Sequence, residues 1–202
     1  MAVSALRWTS SEWLSAGRLC GLLLACAVPL AALAATDDDI TVDVVRRGEV
    51  IVVDVQAPVE ATQAQAWAVL TDYEHMAAFI SNLKVSAVLN RAGNRLQVQQ
   101  AGEARKGPLR FAFETVRAIE LIPEREIRST LISGDFKFYE MTTQVVSGAG
   151  KTVIRNHGEY IPKRWVPPGI GPAMIAAETR KQYAEIRAEV IRRKAQSGDA
   201  PP

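Results

Sequence analysis

Two histidines, His75 and His157, and two cysteines, Cys20 and Cys26, are the side chains of this chain best suited to ligate a soft metal or to exchange protons near neutral pH. Their distribution argues against a metal centre, because both cysteines fall in an apolar amino-terminal run and the histidines lie on different expected elements. No serine occupies a Gly-x-Ser-x-Gly elbow. Gly148-Ala149-Gly150-Lys151 lacks the spacing of a phosphate loop and reads as a hairpin turn. What remains is a set of polar side chains on strands. Alternation puts Arg155, His157 and Glu159 on one face of a strand and Ile154, Asn156 and Tyr160 on the other. It does not tell which face is inward. His157 is therefore either a solvated strand residue or one that orients a ligand or transfers protons, with Tyr160 an alternative in the second role. Arg117 interrupts an otherwise apolar strand face, so it either reaches the sheet edge or holds an anionic group. Asp72 reads as the cap of a short helix in preference to a catalytic carboxylate. No residue is assigned a catalytic or metal-binding role, and no cofactor is expected.

The elements that must position these residues begin after a leader. Arg7 and Arg18 supply positive charge, Leu19 to Leu33 is apolar, and Ala32-Leu33-Ala34 has the form of a cleavage site, so residues 1–34 read as a signal peptide. The run is short for a membrane span, which needs roughly 20 apolar residues. Two alternatives are an uncleaved anchor and lipidation at Cys26, since Leu23-Leu24-Ala25-Cys26 loosely resembles a lipobox. A periplasmic or secreted product without a disulfide is the expectation, because both cysteines leave with the leader. Of 24 basic and 22 acidic side chains the leader holds only Arg7, Arg18 and Glu12, so the remainder is nearly neutral and lacks the basic footprint that nucleic acid requires.

In the mature chain, Ile40 to Val45 and Glu49 to Val55 are β-branched runs separated by Arg46-Arg47-Gly48, a hairpin signal. Pro58 is expected to end that strand, with a helix over Val59 to Leu70 and a helical turn over Asp72 to Phe79. Strand patterns follow at Val85 to Leu89, Arg95 to Ala104, Leu109 to Leu121, Glu126 to Ser133, Phe136 to Val146 and Thr152 to Ile161. The turns between them leave no room for crossover helices, which predicts antiparallel neighbours. After a proline-rich connection, Pro172 to Lys194 reads as a helix. Ile175, Thr179, Tyr183, Ile186 and Val190 form one stripe, and Glu178, Lys181, Glu185, Glu189 and Arg192 the opposite side.

This order resembles the START-like helix-grip superfamily. Trp67-Ala68-Val69-Leu70-Thr71-Asp72-Tyr73-Glu74, Phe79-Ile80, Gln99-Gln100-Ala101-Gly102, Gly134-Asp135-Phe136 and Pro167-Pro168 look like its polyketide cyclase/dehydrase and lipid-transport subgroup. The resemblance covers roughly Glu49 to Arg193. It departs at Met141-Thr142-Thr143, where such sequences often carry Gly-x-Trp. It implies an α+β fold, a curved antiparallel sheet of six to seven strands wrapped around a long carboxy-terminal helix, with two short helices after the first strand. Residues 35–196 would form the ligand-binding domain and 197–202 a flexible tail.

The function so implied is binding or transfer of a hydrophobic small molecule, a lipid, quinone or polyketide-like compound, between sheet and helix. Phe111, Phe113, Arg117, Phe138, His157, Ile175, Thr179 and Tyr183 are the residues expected at the ligand, although for the phenylalanines core filling is the ordinary role. The alternatives are a cyclase or dehydratase using the same cavity, and a protein-interaction module with a shallow groove. Lys163-Arg164-Trp165 near the cavity mouth reads either as a transient membrane contact or as a buried Trp pinning the loop.

Overall fold

The computed structural model describes residues 39–106, 109–148, 151–166 and 171–198. The leader, its cleavage site, Cys26 and the end of the tail lie outside the described residues. The chain runs β1 (Thr41–Arg47), β2 (Val50–Val59), α1 (Gln63–Leu70), α2 (Met76–Phe79), β3 (Leu83–Ala92), β4 (Arg95–Lys106), β5 (Leu109–Ile122), β6 (Glu126–Gly134), β7 (Phe136–Gly148), β8 (Lys151–Pro162) and α3 (Gly171–Gln196). The eight strands form one antiparallel sheet in the order β1-β2-β8-β7-β6-β5-β4-β3. This is the helix-grip architecture with one strand more than the upper expectation.

Tight turns explain most of that order, because consecutive strands joined by a few residues pair with each other. The exception is β2, which pairs with β8 and leaves α1 and α2 to carry the chain across to the edge strand β3. Pro58 does not end β2, which continues to Val59 beside Thr152 of β8. Since β1 pairs only as far as Gln56, the strand has a free side at Pro58, where a residue without an amide hydrogen fits. α1 consequently begins at Gln63, later than expected. A capping box starts it: the Gln65 amide donates to the Thr62 hydroxyl at 3.2 Å, and the Thr62 amide to the Gln65 side chain at 2.9 Å.

Register irregularities in β3–β4, β5–β6 and β7–β8 interrupt regular pairing, and such bulges bend a sheet. The β6–β7 turn folds back onto β5. There the Asp135 amide donates to the Glu114 carbonyl and the Asp135 carboxylate accepts from the Glu114 amide, both at 2.9 Å. Gly134, at φ +130°, makes this approach feasible, because an added Cβ would stand 2.2 Å from the Glu114 carbonyl oxygen.

α3 packs against β1, β2 and α1. Its Tyr183, Ile186 and Val190 join Val53, Val55, Val69, Val98, Ile119, Val145 and Ile154 in one buried core. Glu189 is not on a solvated face as the helical stripe suggests: it is 7% exposed and accepts hydrogen bonds from Arg192 and Arg193. Nor does Asp72 cap α2. The cap position belongs to His75 without a side-chain bond, while Asp72 accepts from the His75 ring at 2.6 Å and from Arg193 at 2.8 Å.

Candidate functional site

Between the sheet and α3 lies a cavity of about 310 Å³, at the small end of the range for small-molecule sites. Val53, Leu70, Ile80, Leu83 and Ile127 supply apolar wall, and Ile175, Thr179, Tyr183 and Ile186 of α3 close it. Phe136, Tyr139 and Tyr160 form an aromatic group, with Phe136 edge-on to both tyrosines at 5.6 and 5.3 Å and the tyrosines stacked at 6.2 Å.

Polar groups converge on Arg117. Its guanidinium donates to the Tyr139 hydroxyl at 3.1 Å, to the Ser129 hydroxyl at 3.4 Å and to the Gln100 side-chain carbonyl. It also stands 5.5 Å from the Tyr139 ring centre. Gln100 in turn donates to the Ser86 hydroxyl at 3.0 Å and to the Met76 sulfur at 3.3 Å, which fixes the amide's orientation. Thr143 donates to Asn156 at 2.7 Å farther along the wall. Burial pushes the Tyr73 hydroxyl up to about 12 and raises Tyr160 and Tyr183 as well, in Tyr183 against an opposing hydrogen bond with Thr143. These phenols are neutral donors and acceptors at physiological pH.

At one margin the α2–β3 connection is tied to α3. Asn82 donates to Glu178 at 3.2 Å and accepts from Gln182 at 2.9 Å, while the Ser81 amide donates to Glu185 at 3.0 Å. Gly102 lets β4 lie against this connection. Its added Cβ would stand 2.1 Å from the Asn82 carbonyl oxygen, which accepts from the Glu103 amide at 2.9 Å.

Of the residues expected at a ligand, Phe113, Arg117, Ile175, Thr179 and Tyr183 line the cavity, whereas Phe111, Phe138 and His157 do not. The inward face of β8 carries Asn156, 4% exposed, so the neighbouring His157 must point outward. There its side chain is 58% exposed, and Nδ1 bonds the Asp54 carboxylate at 2.7 Å. Phe138 is displaced by a bulge: Phe136 pairs with Pro162 and Phe138 with Ile161, so Lys137 is an extra residue and the phase of β7 flips. Phe136 and Tyr139 thereby face inward together. Phe111 shares the alternation face of Phe113 but opposes Ala104 near the far end of the β4–β5 pair, and only Ala104 reaches the cavity.

Gln100, Ser129, Tyr139, Thr143 and Asn156 were not anticipated. A usable signal was present for most of them: Gln100 follows Val98, Ser129 follows Ile127, Thr143 precedes Val145 and Asn156 follows Ile154, each two residues from a buried aliphatic side chain. Polar residues in phase with a core are the ones a cavity wall would expose. Outside the cavity, Trp165 is 73% exposed, which removes the buried-tryptophan reading of its loop. Lys163 and Arg164 beside it are exposed too. Among the described residues no helix is long and apolar enough to cross a membrane.

Solved structures with this fold include the Zhui aromatase/cyclase from a Streptomyces species (TM-score 0.60, 14% identity, 71% of this chain and 95% of that one). A START superfamily protein from Mycobacterium smegmatis is similar at TM-score 0.59 and 17% identity, over 70% and 97% of the two chains. A STAR-related lipid transfer protein from Xanthomonas axonopodis matches at TM-score 0.57 and 8% identity, over 75% and 98%. No curated protein sequence matches. Likeness at such identities establishes the helix-grip fold, and the sequence match to a family model goes further because it spans residues 59–183, more than half of the chain. The chain therefore belongs to the polyketide cyclase/dehydrase and lipid transport family.

Proposed function

We propose that the protein is an exported carrier that holds a hydrophobic small molecule, of the lipid, quinone or polyketide-like kind, in the cavity under α3. The observation that carries this reading is the lining itself: aliphatic and aromatic walls, phenols held neutral, and no histidine among the described residues that line it. Burial of apolar ligand surface, at roughly 25 cal/mol per Å², supplies the affinity and a few polar groups the orientation. Export rests on the amino-terminal apolar run and Ala32-Leu33-Ala34. Transfer would use Trp165, whose indole projects beside Lys163 and Arg164 as side chains do at a lipid headgroup boundary.

Native mass spectrometry and solvent extraction of the protein purified from its own host test the reading. The expected result is a non-covalent apolar adduct. A bare protein mass, together with no uptake of an apolar fluorescent probe, would overturn it.

One observation favours a cyclase-type enzyme as the second reading. Arg117, Gln100 and Tyr139 converge, and such a group can steady the oxygen of a folding polyketide-like substrate. Conversion of the extracted compound by the purified protein separates the two readings. The fold does not, since solved neighbours include an aromatase/cyclase and a lipid transfer protein alike.

A further inference from the structure

Among the described residues that line the cavity, Arg117 is the only cation. A guanidinium is a cationic fork of N–H donors with no acceptor atom. The protein meets it with neutral oxygens alone: the hydroxyls of Tyr139 and Ser129 and the side-chain carbonyl of Gln100. No carboxylate of the described residues is within 4.0 Å. Its Nε is buried without any partner, the sole side-chain nitrogen or oxygen in that condition among the described residues. Glu178, the one carboxylate among the described residues that line the cavity, is engaged with Asn82 at the α3 margin.

A partly buried charge without a counter-charge is costly to keep. The missing counter-charge is thus sought in the ligand, which must meet the terminal Nη groups because the buried Nε has no accessible surface. A planar fork of N–H donors matches a carboxylate better than it matches an alcohol, ketone or ester oxygen. The walls beyond Arg117 fit an alkyl or fused-ring body, and a volume at the small end of the ligand-site range suits a single chain.

Resting on the carrier reading, we propose that the ligand is a single-chain organic acid bound as its anion, with the carboxylate on Arg117 and the apolar body along α3.

Isothermal titration of the mature protein at pH 7.5 with dodecanoate, dodecanol and methyl dodecanoate tests this. The twelve-carbon chain is common to the three, so apolar burial differs by about one carbon. Dodecanoate is expected to bind at least tenfold more tightly than either neutral compound. Arg117→Met is expected to weaken dodecanoate far more than dodecanol and erase that preference, with a cooperative thermal unfolding transition certifying an intact fold. Arg117→Lys keeps the charge without the fork and is expected to retain a preference for the acid at lower affinity. A smaller preference in the parent protein, or one that survives in Arg117→Met, overturns the proposal while leaving the carrier reading in place. Failure of all three compounds to bind overturns the proposal, and the carrier reading falls with it only if extraction also returns the bare protein and no apolar probe is taken up.

Discussion

On the outer face of β8 the His157 ring is held by Asp54, while its chain neighbour Asn156 lines the cavity from the other side of the same strand. A side chain in that position can act on a ligand only through the sheet. His157→Gln is therefore expected to change ligand affinity by less than tenfold, about 1.4 kcal/mol, and to leave any conversion of ligand intact. Titration of the two proteins with the extracted compound is the check, and a hundredfold loss of turnover with binding preserved would restore the acid-base role. Gly102 is a residue of the opposite kind, carrying no chemistry but allowing two backbones to approach. Gly102→Ala would press a methyl group into the Asn82 carbonyl and the Phe113 ring, at 2.1 and 2.8 Å before any adjustment. Overpacking of this sort costs typically 1 to 3 kcal/mol, which denaturant unfolding would measure.

α3 is both a wall of the cavity and a clamp on the rest of the molecule. Thr179 sits in the wall, so Thr179→Trp is expected to fill space, to weaken uptake of an apolar probe and to leave the melting temperature nearly unchanged. A fall in stability of 1 to 3 kcal/mol with probe binding preserved would instead indicate a site already filled by protein. The clamp lies near the helix's other end. Arg193 bridges Glu189 at 2.6 Å and Asp72 at 2.8 Å, joining α3 to the segment between α1 and α2. Hydrogen bonds from Arg192 first, and then from Arg193, hold the Glu189 carboxyl down to about 2 against the upward effect of burial. At Asp72 burial also pushes upward, but the bonds from His75 and Arg193 outweigh it and the net shift is downward. A depressed carboxylate stabilises the fold above its unfolded value, here 4.5 for Glu189, and that contribution is lost as pH falls through the folded value. Thermal unfolding of Glu189→Gln should accordingly show a deficit at pH 7 that shrinks between about pH 5 and pH 2. A deficit independent of pH would assign Glu189 a packing role only.

At the scale of the whole molecule, the mature chain has no cysteine with which to cross-link itself if the leader is removed, so an exported domain must rely on its core. The buried set that joins β2, β4, β5, β7, β8, α1 and α3 supplies such a core. From Ala32-Leu33-Ala34 the mature amino terminus is expected at Ala35. Terminal sequencing of the protein from its own host decides the matter, and a lipid-modified Cys26 or an intact leader in the membrane fraction would refute export as a free protein. If the proposed carriage and export both hold, the protein must cover its cargo across an aqueous compartment. The polar ties from Asn82 to Glu178 and Gln182 lie at the margin of the cavity under α3.

The order of strands and helices was legible in the sequence because it depends on local chemistry: alternation, tight turns after Arg47, Ala92 and Ile122, and the stripe of α3. Arg117 was legible as an exception to its strand's apolar face, though not in its surroundings. Phase was not legible. Whether His157 or Asn156 faces α3 depends on which side of the sheet the helix covers, a contact between segments far apart in the chain. Phe138 lost its expected place to one extra residue, Lys137, whose insertion is defined only by pairing with β8. The cluster around Arg117 gathers Gln100 from β4, Ser129 from β6 and Tyr139 from β7 onto a residue of β5. Each of those polar residues is ordinary in its own strand. Only the lateral order of the sheet brings them within hydrogen-bonding distance, and only α3 above them turns that meeting point into the polar end of a cavity.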